Sequence, residues 1–310
     1  MPVRVEPAFT VEVDTGTLAV HDLTPGATRS DVPVVLALHG ITANGLAWQV
    51  LADELVRRHG VDGIRVLAPD LRGRAASRDV PGPWGISAHA ADTSAIVSAF
   101  GGHPVLVGHS MGAFVAASAA AKDPGRYRGL VLVDGGLGFP APSGQDVDAA
   151  LAAVIGPAMT RLSMVFDSPA DHLAFWRRHP AVGPLLAGPV GPWLRHYLDH
   201  DLVQSGEGWR SSCVLEAVRA DGRDVLADPD TLAAVQRAVE QGVDTELLWA
   251  ERGLLDEPQG LYDESRLRAL QLPTALRTTR VPDTNHYSVI LEASAITRLA
   301  DAVDRQLAMR

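Results

Sequence analysis

Cysteine occurs once in the 310 residues, as Cys213. A single thiol closes no intramolecular disulfide and builds no cysteine-based zinc cluster, and no metal is expected. Lysine is as scarce. Lys122 is the one lysine among 27 basic residues, set against 37 acidic ones, for a formal net charge of −10. The arginines are scattered along the chain, so the basic patch that a nucleic acid or an anionic surface requires is missing. No stretch approaches the ~18 consecutive apolar residues of a membrane span. The opening Met1-Pro2-Val3-Arg4-Val5-Glu6 has no apolar core, so no secretory signal is expected and the cytoplasm is the default location. Charged residues are only 21%, too few for a disordered chain, and apolar ones 46%, ample for a large core.

The length suits two average domains or one large α/β domain carrying an insertion. Segments 9–13 and 17–23 flank Asp14-Thr15-Gly16 and read as an antiparallel hairpin. Val34-Val35-Leu36-Ala37-Leu38 is a continuous β-rich apolar run, the pattern of a strand covered on both faces. Similar runs recur at 64–68, 105–107 and 130–133, separated by helix-compatible stretches at 47–58, 87–100 and 111–121. That alternation predicts a mostly parallel central sheet with helices on both faces. Between 138 and 228 the rhythm stops. Short amphipathic pieces, 146–155, 169–178 and 192–200, are cut by Pro and Gly and carry most of the large aromatics. This segment reads as a helical insertion. Strand character returns at 246–249 and 275–281, and an amphipathic helix near 289–307 closes the chain.

The sharpest chemical signal is Gly108-His109-Ser110-Met111-Gly112, a G-x-S-x-G set between the 105–107 strand and an Ala-rich helix. Such a turn lifts the Ser110 hydroxyl clear of the sheet. It also leaves the Met111 amide at a helix N-terminus, where it can stabilise an oxyanion. His39-Gly40 ends the 34–38 strand, where loops of an open α/β sheet form the ligand crevice, and the Ile41 amide is the second donor candidate. His39 and His109 themselves read as loop-shaping residues. Motifs for nucleotides, metalloprotease zinc or calcium are absent, so no cofactor is implied.

Taken in order, strand-His39-Gly40, Ala68-Pro69-Asp70-Leu71-Arg72-Gly73, the Gly108–Gly112 turn and Asp283-Thr284-Asn285-His286-Tyr287 resemble the α/β-hydrolase family. The likeness covers roughly 10–137 and 229–310. It implies a core of 1–137 and 229–310 with 138–228 inserted as a helical cap, and a triad in the order serine, acid, histidine. His286 is then the imidazole that takes the Ser110 proton. The acid is expected after the 247–250 strand, where Asp256 is preferred and Glu251 is the local rival; Asp134, ending the 130–133 strand, is the distant rival. One departure stands out. Where the family continues Arg-Gly with Gly-x-Ser, this chain has Arg74-Ala75-Ala76-Ser77, expected to be a local loop difference without consequence for mechanism.

A serine nucleophile argues against the dehalogenases and epoxide hydrolases of the family, which use aspartate. Acyl transfer to water remains, on an ester, lactone or thioester of a small apolar molecule. Trp48, Trp176 and Trp193 are the expected pocket residues, and a homodimer is left open. The alternatives are hydrolysis of a C–C bond in vinylogous diketones on the same triad, a ligand-sensing receptor on this fold, and a cofactor-free oxygenase or lyase.

Overall fold

The computed structural model describes residues 5–26, 31–138 and 146–308; the first four residues, part of the segment expected to carry no signal peptide, lie outside them. Among the described residues the strands are β1 (Phe9–Val13), β2 (Gly16–Asp22), β3 (Val34–Leu38), β4 (Arg65–Pro69), β5 (Val105–His109), β6 (Gly129–Val133), β7 (Leu202–Ser205), β8 (Gly208–Ser211), β9 (Thr245–Ala250) and β10 (Arg277–Val281). Eight of them form one sheet in the order β1-β2-β4-β3-β5-β6-β9-β10. The strands from β4 to β10 in that order run parallel, and the β1–β2 hairpin joins antiparallel at one edge.

The helices are α1 (Gln49–His59), α2 (Ile86–Phe100), α3 (Met111–Lys122), α4 (Val147–Ile155), α5 (Pro157–Arg161), α6 (Pro169–Arg177), α7 (Gly183–Ala187), α8 (Gly191–His200), α9 (Leu215–Ala227), α10 (Pro229–Leu232), α11 (Ala234–Glu240), α12 (Glu264–Ala269) and α13 (Ala293–Ala308). The continuous apolar strands are explained by what covers them. Leu36 and Leu38 of β3 face a layer built from α2, α3 and α11, with Ile96, Phe114 and Val235 in one core. Val35 and Ala37 point the other way, into a second core with Leu51 and Leu55 of α1 and Leu299 and Val303 of α13. With both faces buried, alternation disappears and only β-branched and leucine-rich runs survive.

Helices α4–α9 and the β7–β8 hairpin lie in sequence between β6 and β9, two strands that pair directly in the sheet. The hairpin departs from the wholly helical reading of this segment. Its strands are four residues each, joined at Gly206 with φ +62°, too short to register as an apolar run. Buried polar contacts bind the segment to the sheet. His200, ending α8, donates to Asp70 Oδ2 at 2.9 Å, beside a second donor, His21, at 3.1 Å. Burial opposes the Asp70 charge, but the two imidazoles outweigh it and hold the carboxyl well below the usual range. Asp221 of α9 likewise accepts from Gly85 N at 2.8 Å and His89 Nε2 at 3.0 Å.

The sheet order reverses around β3, which lies between β4 and β5. The loops leaving the C-terminal ends of β3 and β5 therefore separate to opposite faces and open a crevice between them. Gly40-Ile41 and Ser110 stand at that point.

Candidate active site

Ser110 occupies the turn between β5 and α3 with φ +55° and ψ −122°, a conformation that a non-glycine residue adopts only under constraint. Its neighbours supply the constraint. A Cβ at Gly112 would stand 2.1 Å from Leu38 O, and one at Gly135 would stand 2.2 Å from Ser110 O. Only glycine at both positions lets the strand, the turn and the β6 loop come so close. The result is a serine displayed at the helix N-terminus with its hydroxyl beside the crevice.

His286 lies in the loop after β10, buried at 4% exposure. Its Nδ1 is 2.6 Å from Oδ2 of Asp134, a fully buried residue just beyond β6. Asp134 is itself held at φ +44°, with its other oxygen accepting from Ala250 N at 3.1 Å. A carboxylate acceptor fixes the proton on Nδ1, which leaves the Nε2 lone pair available as a base. His109 pins the same loop, because its Nε2 donates to the His286 carbonyl at 2.8 Å. Burial, and then the neighbouring His286, hold the His109 imidazole well below its ordinary value, so it stays neutral.

The loop after β3 is built to orient one peptide. Leu71 N donates to His39 Nε2 at 2.9 Å, so the His39 proton sits on Nδ1, which donates to Gly40 O at 2.7 Å. Burial lowers the His39 pKa to about 3, so this tautomer persists at neutral pH. In a trans peptide the carbonyl and the following N–H point in opposite directions. Holding Gly40 O against His39 therefore fixes the direction of the Ile41 N–H. The next carbonyl is held too: Arg74, fully buried, donates from Nε to Ile41 O at 3.0 Å and from Nη1 to Arg72 O at 2.9 Å. Nη1 also meets Asp221 Oδ2 of α9 at 2.5 Å, and Nη2 approaches Met111 Sδ at 3.9 Å. The Arg74 segment is thus more than a local loop difference. It ties α9 to Ile41 and Met111.

Ser110 and His286 line two adjoining cavities. Ile41 and Ile155 line both, and Met111 and Asp134 belong to the second.

A family model for the alpha/beta hydrolase fold matches residues 33–293. The chain belongs to the α/β-hydrolase family. Among curated proteins, this α/β-hydrolase is 35% identical over 141 residues to Lipase LipV of Mycobacterium tuberculosis, spanning 44% of this chain and 51% of that one. It is 33% identical over 103 residues to 2-(acetamidomethylene)succinate hydrolase of Mesorhizobium japonicum, spanning 33% and 35%. The chain thus matches about half and about a third of those relatives' lengths. The crystal structure of an E-2-(acetamidomethylene)succinate hydrolase superposes with a TM-score of 0.73 at 22% identity, over 96% of this chain and 98% of that one.

The expected site residues separate clearly in this member of the family. Ser110, His286, Ile41 and Met111 converge on the cavity. Asp256 does not meet His286. It binds Arg252 Nε at 3.0 Å and accepts from Asn285 Nδ2 at 2.9 Å, bracing the residue next to the histidine. Glu251 pairs with Arg280 and accepts from Asp283 N at 2.9 Å, one-third exposed. The side chain that faces His286 is Asp134, because β6 ends beside the His286 loop while the lengthened loop after β9 carries Asp256 past it. Trp176 and Trp193 line the cavity, whereas Trp48 is buried behind the sheet with Leu51 and Val66 and lines no part of it. Arg74, the residue missed, carried one signal: it precedes Ala75, which stands at φ +41° where the family pattern has a glycine.

Proposed function

We propose that this protein is a serine hydrolase of carboxylic esters, with Ser110 as nucleophile, His286 as general base and acid, and Asp134 orienting the imidazole. The observation that carries this reading is the 2.6 Å contact between Asp134 and His286 in the cavity where Ser110 stands on its constrained turn. Ser110 Oγ bonds to the ester carbonyl carbon as its proton passes to His286 Nε2. The Ile41 and Met111 amides receive the charge on the carbonyl oxygen. Collapse breaks the carbonyl–alkoxy bond, and His286 delivers the proton to the departing alcohol. Water then loses a proton to His286 as its oxygen bonds to the acyl carbon, and the Ser110–acyl bond breaks with return of that proton to Oγ.

Residues 138–228 act as a cap in this reading, since Ile155, Trp176, Trp193 and Gly222 of that segment line the cavity. A cap excludes water and strengthens the electrostatics beneath it. The lipase relative supports an ester. The succinate-derived substrate named for the other relative carries carboxylates, for which the cavity lining offers no Lys or Arg among the described residues.

The test is a fluorophosphonate probe read by intact mass, with p-nitrophenyl esters as substrates. Labelling of the wild type, loss of labelling in Ser110→Ala, and loss of ester turnover in Ser110→Ala and His286→Ala are expected. An unlabelled wild type, or equal labelling of Ser110→Ala, refutes the assignment.

A further inference from the structure

Two cavities adjoin at the nucleophile. One lobe runs beneath the inserted segment between Ala158, Trp176, Trp193 and Leu194. The other, smaller one runs toward α9 between Phe114, Leu151, Val154 and Val225. Ser110, His286, Ile41, Ile155 and Leu254 line both, so the two lobes meet at the nucleophile.

Among the described residues no Lys, Arg, Asp or Glu lines the larger lobe, and the smaller one has only Asp134, whose carboxylate is occupied by His286 and Ala250. Behind the larger lobe stands Arg161, 5.3 Å over the Trp176 ring, but it is ion-paired with Asp201 and donates to Thr42 O at 3.2 Å. A carboxylate or ammonium entering either lobe would lose its water and find no partner. Hydrocarbon entering the same space gains from burial.

Resting on Ser110 as the nucleophile, we propose that the substrate is an uncharged ester with hydrocarbon on both sides of the scissile carbonyl, one arm in each lobe and the bulkier arm beside Trp176 and Trp193. The two lobes select their arms separately, so acyl and alcohol preferences are set by different walls.

The experiment measures kcat/KM for butyl butyrate, its longer homologues on each arm, and two charged counterparts, monobutyl succinate and butyrylcholine. Neutral esters are expected to exceed both charged ones by about 100-fold or more. Trp193→Ala and Val225→Ala, both at half-buried positions, then enlarge one lobe each. Each is expected to shift the preferred chain length on one arm and leave the other unchanged, with the two variants acting on different arms. Fluorophosphonate labelling of each variant confirms a folded site. The inference is overturned if a charged ester is hydrolysed within about tenfold of its neutral counterpart, if both variants move the same arm, or if a labelled enzyme hydrolyses no ester of the series. Failure of the wild type to label at all refutes the nucleophile instead, which keeps the two failures apart.

Discussion

Asp134 Oδ2 and His286 Nδ1 lie 2.6 Å apart, joined across 152 residues of chain. The Asp134 carboxylate receives two donors at once, His286 Nδ1–H on one oxygen and Ala250 N–H on the other. Asparagine has a single acceptor oxygen, so in Asp134→Asn its amide N–H₂ must face one of those donors. If it faces His286, the imidazole proton moves to Nε2 and the base is lost. A fall in kcat of about 10³–10⁴-fold is expected. Asp256→Asn keeps an acceptor for Asn285, removes the charge paired with Arg252, and is expected to cost no more than about tenfold. Parallel steady-state kinetics on the two variants, with circular dichroism as a folding control, decide between the carboxylates. A larger loss in Asp256→Asn would reverse the assignment.

The difficulty of naming that acid from sequence has a physical origin. Ser110 and His39-Gly40 are written locally, since each is a strand followed at once by a residue with special backbone demands. The parallel strands were equally legible, because burial on both faces leaves apolar runs such as Val34–Leu38. His286 stood out by its position before the closing helix. Its acid partner depends on which loop ends nearest in space, and Asp134 and Asp256 are both aspartates in loops leaving neighbouring strands. The four-residue strands β7 and β8 and the short helices α10 and α12 escaped for another reason: each is too brief for a hydrophobic period to show. Arg74 lay beside a departure from the family pattern at Ala75, yet nothing nearby in the chain pointed to Asp221.

Arg74 and Asp221 should behave as a coupled pair. Arg74→Met removes the donor from Ile41 O and leaves Asp221 with only His89 and Gly85 as partners. A stability loss of about 3 kcal/mol is expected for breaking one side of a buried pair. Adding Asp221→Asn should restore part of that stability, because the uncompensated charge is gone. It should not restore kcat, because the Ile41 carbonyl remains unheld. Urea denaturation read beside kcat and KM separates the two effects. If kcat recovers together with stability in the double variant, Arg74 only holds the fold together.

Gly40 offers a change of activity without a change of fold. A Cβ there would lie 3.3 Å from Ser110 Cβ, 3.5 Å from His109 Nδ1 and 3.7 Å from Ser110 Oγ. Gly40→Ala should therefore leave stability within about 1 kcal/mol and lower kcat by tenfold or so, through a displaced hydroxyl and a tighter oxyanion loop. Gly125→Ala, where the added methyl meets open space, is the control. Thermal melts and ester turnover on both variants are the measurement, and equal activity in the two would show that the contact is absorbed without moving Ser110.

Acid sensitivity follows from buried neutral histidines in the inserted segment. His172 of α6 accepts from Trp176 Nε1 at 3.0 Å, and burial holds its pKa at about 4, against an ordinary 6.5. His179 is lowered to about 4 by the same cause. Between those values the unfolded chain binds a proton that the folded chain refuses. Stability is therefore complete above about pH 6.5 and drains away as the pH falls toward 4, at most about 1.4 kcal/mol per pH unit for each imidazole. His172→Gln keeps an acceptor for Trp176 and removes one of these titrations. Urea unfolding at about pH 7 and pH 5 should show the wild type losing more stability than the variant, with the gap between them changing by about 1–2 kcal/mol. A gap that stays constant over that range would mean that folding does not suppress protonation of His172.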